Sequence, residues 1–392
     1  YYKLDVQGNA TYLKKVTVGS LPDGMAFSPD GSKLVVANEG ELSVNFATDG
    51  IDPVGSISII AVANGVPADT ATTLDFSAFN VGASRASELP ADVRIGRPGA
   101  TVAQDMEPEY VTISEDNSQA FVTLQENNAV AVVNLATNRI DRIMSMGYKN
   151  HGLATNSIAA SDKVSATAPF ALKPYANLFG IYMPDGIASF SANGTTYIIT
   201  ANEGDAREYA AYADIKRMKD MKLDATAFPD AAALKLETNL GRLNLIADMG
   251  DTDGDGDLDE LVAFGARSFS IWNGNTGKIV YDSKNDVDKK TNDLGTYDDK
   301  RSDDKGSEPE AVVAVKMGTQ NILFVGLERS DAFMTYDVTN PASPQYLQTV
   351  KTGDAPEGIL FIPASKSPTK RSLLVVSSEG DGTVKIYQPD LK

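Results

Sequence analysis

The sequence predicts an all-β chain, a single β-propeller, on three observations. One hairpin module occurs five times, strand-like runs recur through all 392 residues, and every module keeps an acid at both ends. Closed β architectures of this length form one domain, and repetition at a near-constant period marks repeat folds. Six blades are visible, and seven fit if one insert hides a weak blade.

The five copies are LPDGMAFSPDGSKLVVANEG, EPEYVTISEDNSQAFVTLQEN, MPDGIASFSANGTTYIITANEG, EPEAVVAVKMGTQNILFVGLER and APEGILFIPASKSPTKRSLLVVSSEG. The acid after the proline is Asp23, Glu109, Asp185, Glu310 and Glu357 in turn, and the closing acid is Glu39, Glu126, Glu203, Glu328 and Glu379. The spacing from proline to closing acid is 17, 18, 19, 19 and 23 residues, the last stretched by the turn SKSPTK. Within each copy, runs such as LVVAN, AFVTL and ILFVGL are β-branched and aromatic-rich, and SPDGS, SEDNS and SANGT between the runs are turn signals.

Further strands are expected at GSISIIAV, AVAVVNL, RLNLIAD, FMTYDV and TVKIYQ, giving the three to four strands per repeat of a propeller. A sixth, degenerate blade is expected at Glu260 to Ser283. Inserts lie near 62–105, 150–182, 205–240 and 284–306; without them about 43 residues remain per blade, an ordinary blade length. The run YLKKVTVG is expected to supply an outer strand to the last blade, and residues 216–235 to be partly helical. No linker divides 1–392.

Composition limits function. Fifty-three acidic against 35 basic residues give a net charge of -18. Nucleic acid and anionic membrane surfaces would repel such a chain, whereas cations would be drawn to it. With no cysteine there is neither a disulfide framework nor thiol chemistry. The single histidine, His151, nearly excludes a histidine-built zinc site; it reads as a satisfied surface residue, with catalysis the alternative. No run of about 18 apolar residues occurs, so no membrane insertion is expected. The opening at Tyr1 reads as a processed N-terminus or an artificially chosen start.

A hairpin brings the start of its first strand beside the end of its second. Each acid pair should therefore share one end of a module, and inner hairpins would gather all ten carboxylates at one mouth of a central channel. Cations, arginines or raised pKa values must then offset the repulsion. The alternative is that these acids only cap turns. Arg207, Arg301, Lys305 and Arg329 lie near the acids and read either as counter-charges or as ligands for an anion such as phosphate.

The strongest local motif is DTDGDGDLD. Asp251, Asp253, Asp255 and Asp259 occupy positions 1, 3, 5 and 9, with Gly256 at position 6. Alternate hard oxygens on a tight loop suit Ca²⁺, here in a structural role, and Asp257 can add its backbone carbonyl. Position 12 is Val262, so the loop is no EF-hand. A softer cluster, YDDKRSDDKGSEPE, runs into the fourth module's acids and would lie over the same mouth unless it is only a solvated loop. Trp272 and the scattered aromatics read as core.

Taken together, LPDGMAFSPDG, DMEPEYVTIS, LQENNAVAVV, TANEGDARE, GDTDGDGDLDE, GARSFSIW, RSDDKGSEPE and FVGLERSDAFMTYDV resemble the choice-of-anchor I family over nearly the whole chain. The resemblance implies a bacterial exported propeller at the cell surface, extracellular or in the periplasm. Its relatives include proteins labelled alkaline phosphatase or phytase-like and mesenchyme-specific cell surface glycoproteins. Members often carry a C-terminal anchoring segment, and this sequence stops at Lys392, leaving the mode of attachment open.

Two functions of different class follow. In the first, a Ca²⁺-stabilised surface propeller binds a protein, a glycan or its own copies without catalysis. In the second, a metal-dependent phosphomonoesterase holds further divalent metals at the acidic mouth. Glu203, Glu310, Arg207, Arg301 and Arg329 are its candidate catalytic residues, and a phosphate ester is its ligand. A lyase or glycosidase using paired carboxylates is a third idea. The non-catalytic reading is preferred because no residue stands out as a nucleophile.

Overall fold

The computed structural model describes residues 1–163 and 170–390. Residues 164–169 of the insert at 150–182, and the last two residues, lie outside the described residues. The chain packs as two compact units, Tyr1–Ser145 with Tyr209–Ala211, and Met146–Glu208 with Tyr212–Lys392.

In the first unit, strands Pro22–Phe27, Lys33–Asn38, Ser56–Ala63 and Thr72–Asp75 form one antiparallel meander. Strands Pro108–Ile113, Gln119–Leu124, Ala129–Asn134 and Arg139–Ser145 form the next. Alternate residues of the first sheet, Val35, Ala37, Ile57 and Ile59, pack against Val111, Val122, Ala131 and Val133 of the second in one buried core. The insert at 62–105 is therefore partly blade, because Thr72–Asp75 is a fourth strand. The N-terminal run departs from expectation. Ala10–Tyr12 pairs with Tyr2–Leu4 rather than with the last blade, and Val16 and Val18 lie on Leu34, Val36 and Ile60 of the first.

Among the described residues, the second unit holds four sheets of three or more strands. One is mixed and five-stranded, in the order Tyr148–Asn150, Leu178–Ile181, Leu261–Ala263, Asn244–Ile246, Ile215–Arg217. Two are four-stranded meanders: Ile187–Ala192, Thr195–Asn202, Ser268–Asn273, Ile279–Asp282; and Pro309–Met317, Gln320–Leu327, Ala332–Asp337, Gln345–Lys351. The last has three strands, Pro356–Ile362, Leu373–Ser378 and Thr383–Tyr387. The fold is an all-β propeller, with six blade-like sheets among the described residues. The sixth is not where it was expected, however. Ser268–Asp282 supplies the two outer strands of the third module's sheet, and Leu261–Ala263 joins the mixed one. The long insert between Asn202 and Ser268 hid this pairing.

Repeated polar positions follow from the same geometry. In ANEG of modules one and three, the fully buried Asn38 donates to Ser56 and Ser58, and Asn202 donates to Ser268 and Ser270. Each amide ties an inner strand to the next strand outward. In the turns, Asp30 accepts from the hydroxyls of Ser28 and Ser32, and Asp116 from those of Ser114 and Ser118. Such side-chain turns fix hairpin register.

Candidate functional site

Four hairpins break register at the same place: between Pro22 and Met25, Pro108 and Val111, Pro309 and Val312, and Pro356 and Gly358. The acid after the proline sits in each break. A bulge leaves such a residue out of the ladder and re-aims its side chain. The residue before the proline is left-handed in four modules, Leu21, Met183, Glu308 and Ala355, at φ of 43 to 52°. This kink turns its carbonyl toward the closing strand: Leu21 accepts from the N–H of Glu39 (2.9 Å), Glu308 from Glu328 (3.0 Å) and Ala355 from Glu379 (3.0 Å). In these three modules the two acids thus share one hairpin end.

In the first unit the structure couples Asp23 and Glu39 with Glu107, a buried acid that sequence reading missed. Burial, then repulsion by Glu41, Asp23 and Glu107, pushes the Glu39 carboxyl up to about 8. Desolvation also raises Asp23. Tyr209 donates its hydroxyl to Glu107 at 2.6 Å. Glu109 of the second module follows closely, since a Cβ on Gly24 would meet the Glu109 carbonyl at 2.3 Å. Glu126, the closing acid of that module, is buried.

In the second unit the acids of three modules gather around Glu310. Burial, then Glu203, Asp185, Glu328 and Glu357, pushes Glu310 up to about 10. Glu328 is pushed to about 7 by burial, against the pull of Arg329 and with the repulsion of Glu203 and Glu308. Glu379 is exposed and is not among the groups acting on Glu310.

Glu308 stands at the middle of this cluster, its side chain fully buried. Arg301 reaches its Oε1 at 2.6 Å, while Lys305 (3.4 Å) and Arg329 (3.7 Å) face its Oε2. Lys305 also pairs with Glu203 at 2.7 Å and Asp205 at 3.5 Å, and Arg329 with Glu328 at 2.8 Å. Arg301, Lys305 and Arg329 are therefore counter-charges in this structure. The sequence did hold a signal for Glu308 and Glu107: modules two and four alone read Glu-Pro-Glu.

The loop that presents Arg301 and Lys305 is packed rather than solvated. Ser302, Asp303, Lys305, Ser307 and Glu308 are buried. Arg267 holds it from beneath, donating to the carbonyls of Ser302 (2.9 Å), Asp304 (2.7 Å) and Ala159 (2.7 Å). Asp288, equally buried, faces Arg267 at 3.8 Å and accepts from the Ser307 N–H. Arg217 and Arg242 both reach Asp303 at 2.8 Å.

The aspartate loop is exposed. Oxygens of Asp251, Asp253 and Asp259 lie within 4.8 Å of one another. Asp251 accepts from the N–H groups of Gly254 and Gly256, and Asp259 from Thr252. The Asp255 amide lowers the Asp253 pKa, yet repulsion by Asp255, Asp259 and Asp251 leaves it raised. Asp255 is not in the close group, and the Asp257 carboxylate turns to Lys222 at 3.0 Å, leaving its backbone carbonyl as its possible ligand. The donors are hard oxygens on a tight loop, which fits Ca²⁺.

His151 is not the expected surface residue. It is 2 % exposed, its Nδ1 lies 2.7 Å from the Asn156 carbonyl, and burial with the nearby Lys149 pushes its pKa down to about 3. Nδ1 therefore carries the proton and donates. Arg207 is also fully buried, and Asp214 accepts from its backbone N–H. Trp272 is core, its Nε1 donating to Thr200.

Gigasin-3a from Magallana gigas is 28% identical over 182 residues, which cover 38% of this chain and 64% of that protein. The chain thus spans less than two thirds of this curated relative. Among solved structures, a periplasmic gluconolactonase from Pseudomonas aeruginosa aligns over 99% of the chain and 72% of its own, at 15% identity and a TM-score of 0.44. A putative 6-phosphogluconolactonase from Bacteroides fragilis aligns over the same shares, at 11% identity and a TM-score of 0.43. Likenesses this weak fix no activity. The family model for the choice-of-anchor I domain, by contrast, matches residues 1–341, and the chain belongs to the choice-of-anchor I family.

Proposed function

We propose that the chain is an exported, cell-surface β-propeller that binds a partner without catalysis and is stapled by calcium at Asp251–Asp259. Family membership supports the surface location, and no helix among the described residues is long and apolar enough to cross a membrane. The observation carrying the calcium reading is the approach of Asp251, Asp253 and Asp259 to within 4.8 Å on one loop. The acidic surface would repel nucleic acid and suits a protein or glycan partner, or a second copy, joined through divalent ions.

A thermal melt with calcium and then with chelator tests the staple. Calcium should raise the midpoint, and Asp251→Asn with Asp253→Asn should remove the rise. A midpoint indifferent to chelator would sink the calcium role. The phosphomonoesterase reading requires arginines ready for phosphate, but Arg301 and Arg329 already face Glu308 and Glu328. Chelator-sensitive turnover of a chromogenic phosphate ester, lost in Glu310→Gln, would reinstate it against the non-catalytic reading.

A further inference from the structure

We infer that Glu203, Glu308 and Glu328 form a second divalent-cation site, separate from the aspartate loop, in which Lys305 is an exchangeable resident cation. One carboxylate oxygen from each lies within 4.8 Å of the other two. They come from three different places: Glu203 closes the third module, Glu328 closes the fourth, and Glu308 precedes the fourth module's proline. The separation suits several oxygens converging on one ion.

Two further observations point to an ion rather than to a finished salt-bridge network. The first is Glu308 itself. Its side chain is 0% exposed, yet its Oε2 accepts no hydrogen bond among the described residues. The two cations facing that oxygen stand off at 3.4 and 3.7 Å, beyond close charge-assisted bonds. A buried carboxylate oxygen left this way is costly unless something else reaches it.

The second is the position of a cation among these carboxylates. Lys305 Nζ, 2.7 Å from Glu203 and 3.4 Å from Glu308, already stands where such an ion would sit. Its flexible four-carbon stem lets the ammonium withdraw as the ion enters. Arg301 and Arg329 stay as fixed walls, and the site selects hard divalent ions over anions.

The test uses Mn²⁺ as probe on the full chain carrying Asp251→Asn and Asp253→Asn, so that the aspartate loop does not contribute. Titration calorimetry and the Mn²⁺ spin-resonance signal count bound ions. One ion per chain is expected. Glu203→Gln, at the partly exposed edge, should weaken binding about tenfold or more, and Lys305→Met should tighten it by a similar factor. Binding of no ion by either the parent or Lys305→Met overturns the site, as does an affinity indifferent to Glu203→Gln. If Lys305→Met does not fold, the Glu203→Gln comparison decides alone.

Discussion

Gly186 donates its N–H to the backbone carbonyl of Glu310 at 3.0 Å, and a Cβ on Gly186 would meet that same oxygen at 2.2 Å. The glycine after one module's acid is thus the seat for the next module's acid. Gly24 repeats the arrangement against Glu109 in the other unit. Gly186→Ala should cost about 1–3 kcal/mol, the usual range for overpacking. Gly31→Ala, in an open turn, has only its φ of 70° to strain. Denaturant melts of the two variants measure the contrast, and equal losses would mean that blade-to-blade approach is not the constraint.

Glu39 gives a pH dependence. Its folded pKa of about 8 lies above the ordinary 4.5, so the folded chain holds a proton that the unfolded chain releases. Stability should therefore fall as pH rises from about 4.5 to 8 and level off above that. Glu39→Gln should flatten this window and stabilise the chain at pH 8 by about 1–2 kcal/mol, after discounting for solvent screening. Melts at pH 5 and pH 8.5 provide the check.

His151 gives the opposite sign. Its pKa of about 3 lies below the ordinary 6.5, so folding excludes a proton that the unfolded chain takes up. Its contribution is complete above pH 6.5 and is lost as pH falls toward 3. The chain has a single histidine, so one imidazole resonance should stay fixed from pH 8 to 5. A titrating resonance in that range contradicts the buried, neutral ring.

Arg267 should govern the loop that carries Lys305. Its guanidinium is buried and spans three carbonyls, so Arg267→Met takes from the buried Asp288 the cation that acts on it most strongly. A loss of about 3–5 kcal/mol is expected. Hydrogen exchange at Ser302–Glu308 should accelerate more than at Gln320–Leu327. Uniform acceleration would show that Arg267 serves the whole unit rather than the loop.

Much of the blade architecture was legible because a hairpin is local. Proline, turn and closing acid lie within about two dozen residues, and the continuous β-branched and aromatic runs between them mark strands buried on both faces. The pairing of Thr195–Asn202 with Ser268–Asn273 was not, because a long insert separates the strands and no local signal spans it. The carboxylate pairs were legible as a repeat. Glu308 was not, because modules one, three and five place Leu, Met and Ala there and conceal the position. Arg267 and Asp288 were invisible for a simpler reason: a lone charged residue is usually exposed, and nothing local marks one that is buried.

The register break beside four of the five prolines carries a consequence for how such a protein can evolve. The acid's aim is set where the strand leaves the ladder, so the distal turn is free to lengthen. The fifth module inserts SKSPTK, stretching proline to closing acid to 23 residues, and Glu379 still donates its N–H to Ala355 at 3.0 Å. Selection can therefore rewrite the outer turns of each blade, where new recognition would arise, while the inner carboxylates keep their positions.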